Sequence, residues 1–132
     1  MNQIFVKSTE TAQNYLLKTK DPAHDLAHTK EVVKFSMEIC KRINYLNLEL
    51  IEVAAWWHDV GRLFDSVHEE ISGEMAKDNL IELGYNHEEA NLVYEAIRFH
   101  KWNMNPTCLE GDIIRDADKL DIQVGQTIEF EL

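Results

Sequence analysis

Chain-breaking residues are scarce in this sequence, which has only two prolines and five glycines among 132 residues. No linker rich in proline, glycine or serine interrupts it, and no internal repeat or low-complexity tract divides it. No segment shows the apolar-polar alternation with a period of two that marks a half-buried strand. These absences predict a single continuous domain over residues 1–132 with an all-α fold.

Cysteines and long apolar runs are also rare. Cys40 and Cys108 lie far apart without CxxC spacing, which favours reduced, packed thiols over a disulfide or a redox role. No apolar run approaches the ~20 residues that a membrane-spanning helix requires. Residues 1–7 lack the long apolar region and the small-residue cleavage site of a secretory signal. We therefore expect a cytoplasmic protein with no membrane partner.

Basic residues are outnumbered, because 13 lysines and arginines face 24 aspartates and glutamates and give a formal net charge of −11. Binding to a nucleic-acid backbone relies on a basic face, and the chain shows no cluster of Lys and Arg, so nucleic acid is not an expected partner. A small phosphorylated substrate remains compatible with this charge. A divalent cation and a few local bases can reverse the potential inside a cleft.

Apolar residues recur at helical spacing along most of the chain. This spacing predicts helices over about residues 8–18, 25–42, 48–60, 68–83 and 86–100, and a last one from 109 or 112 to 128. In the second helix, apolar residues lie four, seven and eleven positions after His28, which puts this histidine on the buried stripe. The third is apolar almost all round and is expected at the centre. Asn86 and Glu89 form a capping-box arrangement, and Gly61 and Gly84 are expected to end helices.

Imidazole and carboxylate groups interrupt these apolar helices at three places. The pair His58-Asp59 ends the apolar third helix, and a buried polar pair needs partners. Asp118 interrupts the apolar pattern of the last helix, and His28 lies on the buried face of the second. Because these side chains bind borderline and hard divalent cations, the series suggests a metal site assembled from separate helices.

In order and spacing, three segments resemble the HD-domain superfamily of metal-dependent phosphohydrolases: 24–28 (HDLAH), 57–62 (WHDVGR) and 116–121 (DADKLD). The resemblance spans about residues 21–125 and implies an HD-like bundle of about five to seven helices, either of the usual length or in a shortened version. It also implies four metal ligands: His28, His58, Asp59 and Asp118. Asp116 points to a different face of its helix and is expected to be solvated or to lie behind the ligands.

The resemblance implies hydrolysis of a small phosphate ester, with a nucleotide as the expected substrate, by attack of a metal-bound water or hydroxide. One or two divalent ions per chain would serve as cofactor, and Mn, Fe, Co, Ni, Zn and Mg all suit nitrogen and oxygen donors. Asp59 is expected to take part in catalysis by bridging two ions. Two alternatives stay open: a di-iron oxygenase of the HD type, and a signalling or interaction module that keeps metal only for structure.

Further residues between the HD pair and the final aspartate suggest extensions of the site. His68 and His100 fall where several branches of the superfamily add histidines for a second metal, and the alternative is a surface or supporting role. Glu69 is a candidate general acid, although a solvated position at a helix N-terminus is the simpler account.

Arg62 lies where relatives often carry a basic residue near phosphate. Together with Lys101, Arg115 or Lys119 it would clamp a substrate phosphate. An exposed ion pair is the structural alternative for these bases.

The chain ends fourteen residues after Asp118, whereas domains of this family generally continue with further helices. We expect either a short version whose apolar tail, with Ile128, Phe130 and Leu132, docks on its own core or on a second subunit of a homodimer, or a truncated gene product.

Overall fold

The computed structural model describes residues 2–64, 68–99 and 105–131, with side chains described as far as Asp121. These ranges contain six α-helices and one short 3-10 helix, and they contain no strand. The helices are α1 (Gln3–Leu16), α2 (Pro22–Ile43), α3 (Leu48–Trp57), α4 (His68–Glu82), α5 (His87–Arg98) and α6 (Leu109–Glu131), and the 3-10 helix (Val60–Leu63) follows α3. The expectation of an all-α fold is confirmed. No helix in the described ranges combines the length and apolar character needed to cross a membrane.

Asparagine and aspartate caps set where several helices begin. The side chain of Asn2 accepts a hydrogen bond from the backbone N–H of Ile4 at 2.9 Å, so α1 begins five residues before the predicted Ser8. Asp21 caps α2 in the same way, and Pro22 occupies its first turn, where a proline costs no hydrogen bond. The Asp-Pro pair therefore begins α2, earlier than the predicted residue 25.

The end of α3 differs from its prediction. The helix stops at Trp57, so His58 and Asp59 lie in the turn that leads into the 3-10 helix. Gly61 lies inside that 3-10 helix and does not end α3 as predicted. Its role is close approach, because a Cβ there would collide with the backbone oxygen of His68 and with the side chain of Ser72. The start of α4 can therefore pack directly against the turn that carries the HD pair.

Helix α3 forms the centre of the bundle and packs against each of the other five helices. Its buried residues are Leu50, Ile51, Val53, Ala54, Ala55 and Trp57, whereas Glu49, Glu52 and Trp56 form a partly exposed side. Burial of each large apolar side chain contributes roughly 1.5–3 kcal/mol, so this helix and the turn after it are held firmly. The expected central position of α3 is confirmed.

The other helices surround α3 as neighbouring pairs. Helices α4 and α5 pack side by side, and α2 packs along α6. Gly84 follows α4 with a φ of 94°, a left-handed conformation that glycine adopts without strain. Asn86 caps α5 through the N–H groups of Glu88 and Glu89. Both signals work as the sequence predicted.

Candidate metal centre

The four predicted ligands meet at one place, where the turn after α3 faces α2 and α6. His28, His58 and Asp118 each offer one ligand atom, and these atoms lie within 4.8 Å of one another. Nε2 of His28 is 2.8 Å from Oδ1 of Asp118, and Nε2 of His58 is 3.5 Å from the same oxygen. Asp59 places its Oδ2 at 3.5 Å from Nε2 of His28 and at 3.4 Å from Nε2 of His58. Two imidazole nitrogens and the carboxylate of Asp118 therefore form one group, and the carboxylate of Asp59 lies beside both imidazoles.

The centre is deep on one side and open on the other. His58 has no solvent-exposed surface and Asp59 is 6% exposed, because both sit on the end of the central helix. The side chain of Asp118 is 25% exposed on α6. Solvent and a small ligand therefore reach the centre from the α6 side, while the α3 side forms a fixed wall.

Hydrogen bonds on the far side of each imidazole set its orientation. Nδ1 of His58 is 2.6 Å from the backbone oxygen of Ala55, and a carbonyl oxygen only accepts, so Nδ1 donates and Nε2 faces the carboxylates. Nδ1 of His28 lies 2.6 Å from Oδ2 of Asp121, a carboxylate that likewise accepts its proton. Such partners fix the tautomer and direction of a metal-binding histidine.

The sequence did not single out Asp121, although it lies within the third motif. Its position carries a signal, since it follows Asp118 by three residues and shares its helix face. The sequence does not indicate, however, that this face of α6 contacts His28 on α2.

The electrostatics of the centre favour a cation. Burial alone would lower the pKa of His58, but the charge of Asp59 and the hydrogen bond that the imidazole donates to Asp118 raise it to about 9. Burial likewise opposes the charged form of His28, and its bond to Asp118 raises its pKa above the ordinary value. Without a metal, the raised pKa values favour protonated imidazoles, whose positive charge offsets the negative charge of the carboxylates. The donor set also suits a cation, because two imidazoles and two carboxylates without a thiolate can bind a borderline or hard divalent ion.

Arg62 borders the centre and separates it from an adjacent cleft. Its Nε is 3.7 Å from Oδ2 of Asp59, and its Nη1 is 3.3 Å from Oδ1 of Asp25. The cleft has a volume of about 430 Å³ and is lined by Lys20, Asp21, His24, Asp25, Arg62, Phe64 and His68. The metal centre and the cleft thus adjoin through one guanidinium group.

Comparison with known proteins places this arrangement in a family. The HD domain family model matches residues 25–123, which contain all four predicted ligands. The chain belongs to the HD domain family. Among solved structures, it is similar to the crystal structure of a predicted HD superfamily hydrolase from an uncultured Thermotogales bacterium. That match has a TM-score of 0.77 and 29% sequence identity, and it covers 94% of this chain and 74% of the other. No curated protein matches the chain significantly.

These matches confirm the resemblance to the HD superfamily and the HD-like helical bundle. The family match also supports a divalent cation as the cofactor that the His/Asp group would hold.

Two of the other basic residues predicted to clamp phosphate, Arg115 and Lys119, do not line the cleft of Arg62. Lys119 lines a different cleft together with Ile39, Asp116 and Leu120. Arg115 pairs on its own helix with Asp112 at 3.1 Å and with Asp116 at 3.4 Å. Arg115 therefore follows the alternative prediction of a surface ion pair, and Asp116 is exposed as expected. Lys101 lies outside the described residues.

Two of the residues predicted to extend the HD site, His68 and Glu69, lie at the start of α4. His68 borders the Arg62 cleft, and its Nε2 is 3.1 Å from Oε1 of Glu69. Glu69 is only 5% exposed, so the simpler expectation of a solvated helix terminus is wrong. The reason is the close packing of α4 on the 3-10 helix, which turns this first-turn side chain inward. Its role as a general acid stays a prediction.

A second metal is a prediction that the described residues do not test. Within residues 2–64, 68–99 and 105–121, one group of at least three His, Cys, Asp or Glu side chains could hold an ion, and His68 is not in it. His100, the other predicted ligand, lies outside these ranges. The side chains of the apolar C-terminal tail also lie outside them.

Proposed function

We propose that this HD domain is a metal-dependent phosphohydrolase that acts on a small phosphate ester, with nucleotides as the first class to test. The observation that supports it most directly is the convergence of His28, His58 and Asp118 to within 4.8 Å, beside Asp59. The family match and the similarity to a predicted HD superfamily hydrolase agree with hydrolysis.

The geometry suggests a separate role for the metal-binding residues and for Arg62. His28 and His58 present Nε2, and Asp59 and Asp118 present carboxylate oxygens, to hold one divalent cation. Such a cation supplies an activated water near neutral pH and neutralises charge on phosphoryl oxygens. Arg62, next to Asp59, directs a planar fork of N–H donors that suits a phosphoryl group. The guanidinium would position the ester beside the cation and offset its negative charge.

Glu69 is the proposed proton donor for the leaving oxygen. It is buried, and its Oε1 lies 3.1 Å from Nε2 of His68, which lines the cleft. A general acid of this kind typically contributes ~10²–10⁴-fold to a rate. The variant Glu69→Gln keeps the shape and removes the proton, so it tests this role against a structural one.

The proposed function is tested by metal analysis of the purified protein followed by a phosphate-release screen over nucleotides and simple phosphate esters. We expect a bound transition metal, loss of phosphate release on chelation, and recovery when Mn²⁺, Co²⁺ or Ni²⁺ is added. Hydrolysis that persists in excess chelator would contradict the proposal. Iron together with oxygen consumption would instead favour an HD-type oxygenase.

A further inference from the structure

The cleft beside Arg62 has a composition unlike that of the chain as a whole. The chain carries 24 acidic residues against 13 basic ones, whereas the described residues that line the cleft include two bases, two acids and two histidines that add further donors. The bases are Lys20 and Arg62, and the histidines are His24 and His68. On an otherwise acidic protein, this is a place where an anion meets several N–H donors.

Both acids of the cleft are already engaged by protein groups. Asp21 caps α2 and accepts a hydrogen bond from the backbone N–H of His24 at 3.3 Å. Asp25 is buried and lies 3.3 Å from Nη1 of Arg62 and 3.8 Å from Nδ1 of His24. These contacts hold the base and the histidine at the cleft wall. The carboxylates therefore organise the donors as well as offsetting their charge.

The position of Arg62 relates the cleft to the reaction. One side of its guanidinium faces Asp59 of the metal centre and the other faces Asp25 of the cleft. A phosphoryl group at the metal centre would thus have Arg62 at its edge, and a second group joined to it would extend past Arg62 into the cleft. The volume of about 430 Å³ lies in the range of small-molecule sites and is ample for one more phosphoryl group.

We infer that Lys20, His24, Arg62 and His68 form a subsite for a second, non-reacting phosphoryl group. This inference rests on the proposed function and narrows its substrate class to compounds with at least two linked phosphates, such as nucleoside diphosphates and triphosphates. Lys20 supplies a point charge, Arg62 supplies a planar fork, and the imidazoles supply directed N–H donors. The side chain of His24 is 71% exposed, so it is available to a ligand that enters from solvent.

Binding to the subsite is measured with inorganic pyrophosphate on the full chain after metal removal, so that the metal centre makes no contribution. Histidine ring signals in NMR spectra report the site, and the variants His24→Gln and His68→Gln assign them. We expect pyrophosphate to shift the signals of His24 and His68. The variant Lys20→Gln should raise the dissociation constant about tenfold, as expected for the loss of one charge-assisted contact.

Lys34→Gln is the matched control, because Lys34 is an exposed lysine on α2 that does not line the cleft. It changes the net charge by the same amount and should alter the dissociation constant by less than about twofold, since surface charges are screened at moderate salt. Equal weakening in both lysine variants would show a general charge effect and overturn the subsite. Signals of His24 and His68 that stay unchanged at millimolar pyrophosphate would also overturn it.

Kinetics separate this inference from the proposed function. If phosphate release is found, Lys20→Gln should raise KM for a nucleoside triphosphate about tenfold with little change in kcat, and it should leave KM for a simple phosphomonoester unchanged. If no ester is hydrolysed but pyrophosphate binds in a Lys20-dependent manner, the proposed function fails and the subsite stands. If esters are hydrolysed and neither lysine variant affects pyrophosphate binding or KM, the subsite fails and the function stands.

Discussion

The wall of the metal centre and the neighbouring cleft are built in opposite ways. His58 and Asp59 directly follow the central helix and are buried against the core, and the backbone oxygen of Ala55 orients His58. The cleft is formed by long, exposed side chains at the start of α2 and in the 3-10 helix, with Arg62 47% exposed. The first arrangement fixes donors in advance, which favours selective binding of a small cation. The second leaves its donors able to adjust to a larger, variable ligand.

This contrast has an energetic consequence. His58 and Asp59 in the wall are held in place by the packing of the whole fold. A substitution of either residue should therefore lower metal affinity and stability together. Arg62 is 47% exposed, so solvent screens its ion pair with the buried Asp25, and screened pairs of this kind contribute little to stability. A change in the cleft should therefore affect ligand binding and leave the fold intact. The predictions below test this division, in order of decreasing effect.

The largest effect is expected from Asp118→Asn, which removes a carboxylate that lies 2.8 Å from Nε2 of His28. An amide has no negative charge and binds a divalent cation poorly, so metal stoichiometry should fall towards zero and phosphate release should disappear. Elemental analysis measures the first and a release assay the second. Asp116→Asn, an exposed change two residues away on α6, is the control and should keep its metal. Retention of the metal by Asp118→Asn would remove Asp118 from the centre.

A smaller loss of metal affinity is expected from Asp121→Asn. The carboxylate of Asp121 accepts the Nδ1 proton of His28 at 2.6 Å, and loss of such a partner typically weakens metal binding about 10–100-fold. Competition with a chelating dye measures the affinity, with Asp116→Asn again as the control on the same helix. An affinity within about twofold of the original protein would show that packing alone orients His28.

Arg62→Lys tests the border between the two regions. Lysine keeps the charge but loses the planar fork of donors, so kcat/KM should fall about tenfold while metal content stays unchanged. Arg42→Lys, an exposed change in the last turn of α2, is the matched control. Loss of metal from Arg62→Lys would mean that this arginine supports Asp59 and does not act on the substrate. Arg62 would then belong with the residues that support the metal centre.

The same division explains which features could be predicted from the sequence. Local signals were correct where the cause is local: Asn86 caps α5, and Gly84 follows α4 in a left-handed turn. The predicted burial of His28 is nearly reached, since its side chain is 14% exposed, although the fully buried face of α2 is formed by other residues. The metal centre could be predicted because its motifs tie residue types to helix faces. The position of Glu69 could not, since its burial depends on how α4 packs on the 3-10 helix.

The features that the sequence did not predict depend on tertiary packing. Asp121 acts through a residue on another helix, at a separation of 93 positions. Lys119 and Arg62 both follow motif aspartates in the sequence, yet they line different clefts. Nothing in either segment alone indicates these relations, because they arise from the way α2 and α6 pack on each other.

That packing is the subject of a stability prediction. The hydroxyl group of Tyr45, just after α2, donates to Oε2 of Glu110 on α6 at 2.6 Å. Tyr45→Phe removes this bond and should lower the free energy of unfolding by about 1 kcal/mol, or Tm by roughly 3–5 °C. Thermal unfolding measures the change, and metal content should remain the same. A loss of metal in this variant would show that the wall depends on the outer contacts between α2 and α6.

The smallest expected effect is the contribution of Tyr45 to the dependence of stability on alkaline pH. Burial, followed by the hydrogen bond to the Glu110 carboxylate, raises the pKa of Tyr45 well above its usual range. As pH rises past about 10, the ordinary tyrosine pKa, the unfolded chain therefore loses this proton while the folded chain keeps it. The folded state then binds more protons, so its stability decreases with increasing pH.

Tyr45→Phe lacks this contribution, and its stability should decline less than that of the original protein between about pH 9 and pH 11. The pKa of Tyr85 is also raised, but this residue is present in both proteins, so the difference between their urea-unfolding curves isolates Tyr45. Parallel declines would mean that the Tyr45 proton is not held by the fold.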